Sequence, residues 1–519
     1  MELHPKVLEQ YAASRHHTYR GIVCHAPFVS MNFDQTGGVR ACCYNFTHLL
    51  GKWPHQSLLE IWRGEQARKL RQYIRENNLG GGCKECGKMI IAGNHQGVRA
   101  RYYDEFMPDN FFTRLRYTAN RLWGYLPYPR VMEFELSNEC NLECVMCNGD
   151  FSSAIRRNRE KRPPIISPYN DDFVNELDDF IPHLTDAKFL GGEPFMIEIY
   201  LKIWERILKI KPDIRIHITT NGTFLNKRIK ELLEGLRAGI VVSIDSVQEE
   251  TYKKIRINGN FQKVMENLEY FRDYTARKKT FISIAACPIT LNWHELPDML
   301  RFCLEKNITL YFNAVFTPRE LSLREQTPEF LENIIGVLEK HPLPDTTKNV
   351  PNSHKDSLNA YRDYINLLKG WLKERKREVA LHRQRVVDVH EILRNDSVPI
   401  LAGNPDELIA DLMELSYEGY HDKEKEIQQQ LMTLVSSADE KTLADLLKCY
   451  QRFYLLYNRL DPSQIDQEKA NLFASLLYTH PKKDQILSLM CSMSPVETGG
   501  FIYQMTAEQL SENLQRYFA

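Results

Sequence analysis

Between residues 130 and 316, short runs of apolar, β-branched and aromatic residues alternate with longer segments whose apolar residues recur every three or four positions. The short runs predict buried strands: RVMEFEL (130–136), AKFLGG (187–192), IRIHITTNG (214–222), GIVVSIDS (239–246), FISIAAC (281–287) and LYFNAVF (310–316). The longer segments, such as FQKVMENLEYFRDYTARK, predict amphipathic helices. Six strand-then-helix units predict a parallel sheet that curls into a partial (β/α)6 TIM-like barrel, with the functional site at the carboxyl ends of its strands.

Two regions of different character flank this α/β pattern. The region before it contains GIVCHAPFVSMNF, QTGGVRACC, an amphipathic helical segment and GGGCKECGKM, which together predict a small Cys-rich α+β module. After it, a polar stretch rich in Pro and Asn (340–357) predicts a linker, and mostly helical patterns follow. We therefore predict three domains, at 1–110, 111–340 and 341–519, the last a helical domain of unknown role.

The composition of the chain indicates which kinds of partner and which cellular compartment to expect. The 67 Lys and Arg residues nearly balance the 68 Asp and Glu residues, so no global charge favours a nucleic-acid or membrane partner, and we expect neither. No apolar run reaches the roughly 18 residues of a membrane span, and the first residues lack a secretory signal pattern, which predicts a cytoplasmic protein. In that compartment, twelve cysteines favour metal or redox chemistry over disulfides.

The stretch ELSNECNLECVMCNGD carries Cys140, Cys144 and Cys147 in a C-x3-C-x2-C spacing, directly after the first predicted barrel strand. Three thiolates so close together can bind one soft metal centre. A structural zinc site or a closed cubane cluster uses four ligands, and no fourth lies nearby. The spacing therefore favours a 4Fe-4S cluster with one open iron, while a zinc loop and coincidental buried cysteines remain as alternatives.

The triplet, its position after the first strand and the order of the motifs that follow resemble the radical S-adenosylmethionine (SAM) superfamily. The resemblance implies a 4Fe-4S cluster whose unique iron chelates the amino and carboxylate groups of SAM. It further implies that electron transfer into the sulfonium yields methionine and a 5'-deoxyadenosyl radical, which abstracts hydrogen from a substrate.

The resemblance also implies which other residues bind SAM, since short motifs stand at successive strand ends. GGEP supplies two glycines and a carboxylate for the SAM amino group, TTNGT and SIDS supply polar partners, and an arginine in KKIRINGNF suits the SAM carboxylate. A methionine replaces the aromatic residue that commonly packs on adenine. The implied cofactor-binding residues are Met146, Gly191, Gly192, Glu193, Thr220, Asn221, Ser243, Asp245, Arg256 and Asn292. For Glu193, Asp245 and Asn292, a capping or loop role remains the alternative.

The amino-terminal cysteines follow the layout C-x17-CC followed by C-x2-C, which resembles the twitch, or half-SPASM, auxiliary-cluster module of the same superfamily. That resemblance implies a second 4Fe-4S cluster held by Cys24, Cys42, Cys83 and Cys86, with Cys43 as the alternative to Cys42. A zinc ribbon is the other interpretation, because four cysteines also suit tetrahedral zinc. Known members usually carry this module after the barrel, so its role here stays open among electron relay, substrate binding and stabilisation of the fold.

Taken together, these features predict a radical SAM enzyme whose catalytic residues beyond the cofactor site are unknown. We expect a peptide or protein side chain as substrate, with a small metabolite such as a sugar or nucleoside as the alternative. An electron donor such as flavodoxin or ferredoxin is the expected partner. A hypothesis of another class is a non-catalytic SAM-binding iron-sulfur sensor. Four scattered cysteines, Cys287, Cys303, Cys449 and Cys491, are predicted to be small buried hydrophobic residues.

Overall fold

The computed structural model of the chain describes residues 3–16, 19–91, 93–95, 97–107, 127–344 and 350–394, with side chains to residue 377. Residues Met1–Lys373 form one compact unit and Glu374–Ala519 a second. Most of the predicted helical domain, with Cys449 and Cys491, lies outside the described residues. In the part of the chain that is described, every helix is too short or too polar to cross a membrane.

The strands among the described residues form a single sheet in the order β3-β2-β1-β4-β5-β6-β7-β8-β9. Their bounds are β1 (Ser30–Phe33), β2 (Gly38–Arg40), β3 (Gly51–Lys52), β4 (Val131–Phe134), β5 (Asp186–Phe189), β6 (Arg215–Thr220), β7 (Ala238–Ser243), β8 (Ile282–Ala286) and β9 (Thr309–Phe312). The six predicted barrel strands are β4 to β9, and each pairs in parallel with the next. The predicted α/β class and parallel barrel sheet are confirmed.

Helices separate the barrel strands, as the three- and four-residue apolar periodicity predicts. In chain order the helices are α1 (Pro5–Ala13), α2 (Ala26–Val29), α3 (Leu58–Arg63), α4 (Glu65–Arg75), α5 (Lys84–Ile91), α6 (Ser153–Asn158), α7 (Asp171–Glu176), α8 (Glu198–Ile210), α9 (Lys227–Gly235), α10 (Glu249–Ile255), α11 (Phe261–Lys278), α12 (Leu296–Lys306), α13 (Pro328–Lys340) and α14 (Asn352–Arg394). A 3-10 helix (Arg99–Phe106) precedes β4.

The period of two along each strand divides the barrel residues between two environments. On β4, Met132 and Phe134 belong to the main hydrophobic core, whereas Glu133 between them is buried against Arg99 and Lys188. On β4, therefore, one face packs in the main hydrophobic core and the opposite face carries a buried charged side chain.

The amino-terminal module joins the barrel sheet directly. Strand β1 pairs in parallel with β4, with Ser30 opposite Val131 and Phe33 opposite Phe134. Strands β2 and β3 then continue the sheet in antiparallel pairing. The predicted α+β character of the module is found in β1 to β3 and α2 to α5, but the sheet and its core continue through both regions. The predicted division at residue 110 stays a prediction.

Two local predictions about helices differ from the structure. The amphipathic segment after residue 56 forms two helices, because Gly64 is extended (ψ 173°) and separates α3 from α4. The predicted linker extends to residue 357, whereas α14 begins at Asn352. Within α14, Ser357 is buried and its hydroxyl accepts a hydrogen bond from the Leu310 amide of β9 at 2.9 Å. The helix thus covers the last strand of the sheet, whose edge would otherwise be open.

Candidate cofactor site

The loop that carries the cysteine triplet leaves the carboxyl end of β4 and is fastened to the start of α6. The Ser152 hydroxyl donates to the Leu142 carbonyl at 2.7 Å. The Ser153 hydroxyl accepts from the Cys140 amide at 3.1 Å and donates to the Cys140 carbonyl at 3.2 Å. These bonds fix the first cysteine relative to the helix that follows the loop.

Two hydrogen bonds between backbone groups align the cysteine loop with the segment after α10. The Glu143 amide donates to the Ile257 carbonyl at 3.1 Å, and the Val145 amide donates to the Ile255 carbonyl at 2.9 Å. Cys144 therefore lies opposite Arg256, and the Arg256 Nη1 lies 3.8 Å from the Cys144 Sγ.

The three thiols lie close enough to affect one another's ionisation. Burial, together with the neighbouring Cys144 thiolate, raises the pKa of Cys140 to about 11 and that of Cys147 to about 12. Since iron binds the thiolate, loading this site releases protons. A trio of soft donors on one loop, with the next nearby thiol on another strand end, matches the donor set of a three-cysteine 4Fe-4S cluster.

Among the described residues, no three His, Cys, Asp or Glu side chains converge closely enough to bind one metal ion. A 4Fe-4S cluster bonds each thiolate to a different iron and so holds its thiolates farther apart than the four ligands of one zinc ion.

The GGEP motif after β5 lets two backbones approach closely. Gly191 (φ +79°) and Gly192 (φ +48°) lie in the left-handed region, and a Cβ on Gly192 would collide with the Glu139 carbonyl oxygen. The Glu193 amide donates to that same carbonyl at 2.7 Å. The close approach that these glycines permit is thus to the backbone immediately before Cys140.

The Glu193 carboxylate is fully buried and joins the ends of β5 and β6. It accepts hydrogen bonds from the Thr220 hydroxyl at 2.7 Å, the Asn221 amide at 2.6 Å and the Phe195 amide at 3.2 Å. Burial raises the pKa of Glu193 to about 7, although these hydrogen bonds oppose the shift.

Asn221 links this carboxylate to the cysteine loop. Its Oδ1 accepts from the Thr223 amide at 2.9 Å, which directs its Nδ2 towards the Cys140 Sγ at 3.8 Å and the Asn141 Oδ1 at 3.0 Å. Asn141 and Thr223 were not among the predicted site residues. Their signal in the sequence is adjacency, since Asn141 follows Cys140 and Thr223 ends TTNGT.

Asp245, Arg256 and Asn292 form a buried network that joins the ends of β7 and β8. The Asp245 Oδ1 accepts from the Cys287 amide at 2.7 Å, and its Oδ2 lies 2.7 Å from the Arg256 Nε. The Asn292 Nδ2 donates to the Asp245 carbonyl at 2.8 Å and to the Cys287 carbonyl at 3.1 Å. These polar groups hold the strand ends beside the triplet.

The half-buried side chains at this edge of the barrel include Ser243, Met146 and Cys287. Ser243 ends β7, and Met146 packs against an apolar cluster with Ile255, Ile289 and Val315. The third is Cys287, which the sequence predicted to be a buried hydrophobic residue. It lies at the end of β8, close enough to Cys144 and Cys147 to interact electrostatically. Cys287 comes two residues after Ala285, and residues two apart along a strand point to the same face. This spacing could have indicated that Cys287 faces the site.

The amino-terminal thiols line one cavity. Cys24, Cys42, Cys83 and Cys86 all face it, together with Arg99 and apolar side chains. Burial raises the pKa of Cys24, and the Cys42, Cys83 and Cys86 thiolates raise it further, as expected for four groups that share one space. The donor set matches a four-cysteine cluster and also tetrahedral zinc.

Cys43 lies outside that cavity. Burial raises the pKa of Cys43 to about 11, and the charged side chains nearest to it are Glu133, Arg99, Glu135 and Lys188. Glu133 lies on β4 and Lys188 on β5, Glu135 follows β4, and Arg99 forms an ion pair with Glu133. The structure therefore separates the two adjacent cysteines between the module cavity and the barrel interior.

A buried ion network supports the segment that carries Cys24. The Asp104 carboxylate accepts from the Arg15 Nη2 at 2.5 Å, from the Arg15 Nε at 2.8 Å and from the His25 Nδ1 at 2.7 Å. All three side chains are buried. Because His25 follows Cys24 directly, this network connects the 3-10 helix before β4 to the first thiol of the module.

Comparison with known families identifies both regions. Residues 134–303 match the model of the radical SAM superfamily, and residues 24–87 match that of the SPASM iron-sulfur cluster-binding domain. The chain contains a radical SAM domain. The SPASM domain precedes it in the chain. The two matches confirm the resemblance that the sequence motifs indicated. The cofactors of these domains are a 4Fe-4S cluster, SAM and an auxiliary iron-sulfur cluster.

Curated relatives match this chain over part of its length. The probable GTP 3',8-cyclase of Methanocaldococcus jannaschii is 27% identical over 178 residues, which cover 34% of this chain and 55% of that protein. The GTP 3',8-cyclase of Limosilactobacillus fermentum is 26% identical over 251 residues, covering 44% and 70% respectively. The chain thus spans little more than half the length of the first of these relatives.

Solved structures also resemble the chain. Native anSMEcpe with bound AdoMet aligns with a TM-score of 0.33 and 17% identity, covering 40% of this chain and 59% of that one. Streptococcus suis SuiB bound to the precursor peptide SuiA aligns with a TM-score of 0.33 and 15% identity, covering 53% and 58%.

Proposed function

We propose that this protein is a radical SAM enzyme that reductively cleaves SAM and uses the resulting 5'-deoxyadenosyl radical to abstract hydrogen from a substrate. The observation that carries the proposal is the placement of Cys140, Cys144 and Cys147 on one loop at the carboxyl edge of the barrel, inside the region that matches the radical SAM model. When bound, a three-cysteine 4Fe-4S cluster supplies an open iron and one electron.

We assign cluster binding, SAM contact and positioning of the cysteine loop to different residues. The triplet would hold the cluster, and Ser243 and Met146 are the half-buried side chains through which we expect SAM contacts at the barrel mouth. The buried residues Glu193, Asp245 and Asn292 bond mainly to protein groups, so we propose that they position the cysteine loop and the strand ends. The predicted SAM contacts of Gly191, Gly192, Thr220, Asn221 and Arg256 likewise remain proposals.

Cleavage of SAM tests the enzymatic proposal directly. Anaerobically reconstituted protein incubated with SAM and dithionite should form 5'-deoxyadenosine, detected by mass spectrometry. A variant with alanine at Cys140, Cys144 and Cys147 should form none. Binding of SAM without any 5'-deoxyadenosine under strong reductant would instead support the sensor hypothesis.

For the substrate, we propose a peptide or protein side chain first, and a small metabolite second. The metabolite is favoured by one specific observation, namely that the curated relatives reported above are named GTP 3',8-cyclases. Those relatives align with less than half of this chain, and the alignment therefore supports shared initiation chemistry more strongly than a shared substrate.

Substrate dependence of SAM cleavage separates the two candidates. GTP should raise the rate of 5'-deoxyadenosine formation if the metabolite proposal holds, and deuterium from labelled GTP should then appear in that product. A peptide encoded beside the protein should have this effect if the peptide proposal holds. Flavodoxin or ferredoxin, in place of dithionite, tests the proposed electron donor.

A further inference from the structure

Two side chains that the motifs assign to SAM each place a nitrogen 3.8 Å from a cysteine sulfur. The first is Arg256, whose Nη1 lies 3.8 Å from the Cys144 Sγ. The arginine is only 6% exposed, and the backbone bonds at Glu143 and Val145 hold the cysteine loop opposite it. Its position is therefore fixed by backbone pairing as well as by its own contacts.

The guanidinium is also held from its other side. The Arg256 Nε lies 2.7 Å from the Asp245 Oδ2, and Asp245 is anchored in turn by the Cys287 amide. The Asp245 Oδ2 and the Arg256 Nε approach without hydrogen-bond geometry, so neither buried atom has a hydrogen-bond partner. Asp245, Cys144, Tyr252 and Cys287 are the titratable groups that face this guanidinium most closely.

The second side chain is Asn221, whose Nδ2 lies 3.8 Å from the Cys140 Sγ. The orientation of its amide group is determined by its neighbours. The Thr223 backbone amide can only donate, so the atom 2.9 Å from it must be the Asn221 oxygen. The Asn221 nitrogen is therefore the atom that faces the sulfur.

We propose that Arg256 and Asn221 are positioning residues that donate N–H groups to the thiolates of Cys144 and Cys140 and thereby set the reduction potential of the cluster that these thiolates bind. This inference rests on the proposed 4Fe-4S cluster at the triplet. It assigns the two side chains a role that precedes SAM binding and does not require SAM.

The sign of the effect follows from electrostatics. Reduction adds one negative charge to the cluster, and a nearby N–H donor or guanidinium stabilises that charge. Arg256 contributes a full positive charge, partly offset by Asp245, whereas Asn221 contributes a neutral dipole. Removing Arg256 should therefore lower the reduction potential more than removing the Asn221 amide, and neutralising Asp245 should raise it.

The test is a redox titration of reconstituted protein in the absence of SAM, followed by electron paramagnetic resonance of the reduced cluster. The auxiliary-site cysteines are unchanged, and the triplet signal is identified by its loss in the Cys140, Cys144 and Cys147 triple variant. Arg256→Gln should lower the ratio of reduced to oxidised cluster at a fixed potential about tenfold, which is 59 mV for one electron. Asn221→Ala should lower it about threefold, and Asp245→Asn should raise it.

Two further variants separate this role from a structural one. Arg256→Lys retains the charge and should restore part of the potential lost in Arg256→Gln. Arg277→Gln is the control for loss of an arginine charge, because Arg277 is exposed near the end of α11, where it pairs with Glu234. It should leave the potential unchanged.

The outcomes distinguish the inference from the proposed function. If wild-type protein assembles no cluster at the triplet, the proposed function fails together with the inference. If Arg256→Gln and Asn221→Ala retain full iron and the wild-type potential, the inference is overturned while the proposed function stands. A fall in SAM affinity without any change in potential would overturn it as well and assign Arg256 to SAM.

Discussion

The Glu193 carboxylate accepts a hydrogen bond from the Asn221 backbone amide at 2.6 Å, and this bond connects the GGEP and TTNGT motifs beneath the cysteine loop. Because burial raises the pKa of Glu193 from 4.5 to about 7, the folded protein binds this proton more tightly than the unfolded chain does. The stability from this group is therefore present below pH 4.5 and is lost as the pH rises to 7.

A comparison with Glu193→Gln measures this effect, since glutamine does not titrate. Relative to the variant, wild-type protein should lose about 2 to 3 kcal/mol of unfolding free energy between pH 5 and pH 8, as measured with denaturant. A constant difference between the two proteins across that range would show that Glu193 does not titrate there.

The left-handed backbone at Gly192 predicts a strong requirement for glycine. Gly192→Ala should destabilise the fold by about 2 kcal/mol or more and lower iron retention at the triplet, since the new Cβ meets the Glu139 carbonyl. Gly336→Ala in α13 is the control, because its Cβ meets nothing within 4 Å. It should stabilise the protein by about 0.5 to 1 kcal/mol in the same denaturant titration.

The different surroundings of Cys42 and Cys43 predict opposite results for two adjacent substitutions. Cys42→Ser should remove about four irons per chain, because Cys42 faces the cavity shared by the other three module thiols. Cys43→Ser should leave the iron content unchanged. Iron and sulfide analysis of the reconstituted variants measures both, and iron loss in Cys43→Ser alone would reverse the assignment.

The buried ion network of the amino-terminal module predicts a large cost for neutralising Asp104. Asp104→Asn should destabilise the protein by about 3 kcal/mol, because it leaves the Arg15 charge buried without a counter-charge. Asp171→Asn removes an exposed partner of Lys202 and should change stability by less than about 1 kcal/mol. Equal effects of the two substitutions in denaturant titrations would contradict the importance of this network.

The barrel strands could be predicted because each is a compact apolar run followed by a helical pattern of distinct period. The strands of the amino-terminal region were harder to predict. Ser30–Phe33 alternates polar and apolar residues but is buried at every position, and its partner β4 lies about 100 residues later in the chain. No local pattern encodes that pairing, so the continuity of the sheet could not be inferred from sequence.

The motifs gave the residues of the site but not their hydrogen-bond partners. Glu193, Asp245 and Asn292 stand at the predicted strand ends, yet their polar groups bond mainly to the backbone of neighbouring segments. Such contacts depend on side-chain orientation between distant segments. Cys287 was overlooked for a related reason, since an isolated cysteine at a strand end has no spacing pattern to distinguish it from a core residue.

Iron and sulfide analysis with Mössbauer spectroscopy of anaerobically reconstituted protein tests directly whether the triplet holds a cluster, by comparing wild type with the Cys140, Cys144 and Cys147 triple alanine variant. We expect about eight irons in wild type and about four in the variant, with one iron site of the triplet cluster perturbed when SAM is added. About four irons in wild type and none in the variant, with zinc retained, would make the amino-terminal module a zinc site. Equal iron content in the two proteins, with no response to SAM, would contradict the central claim that the triplet holds an open-site cluster.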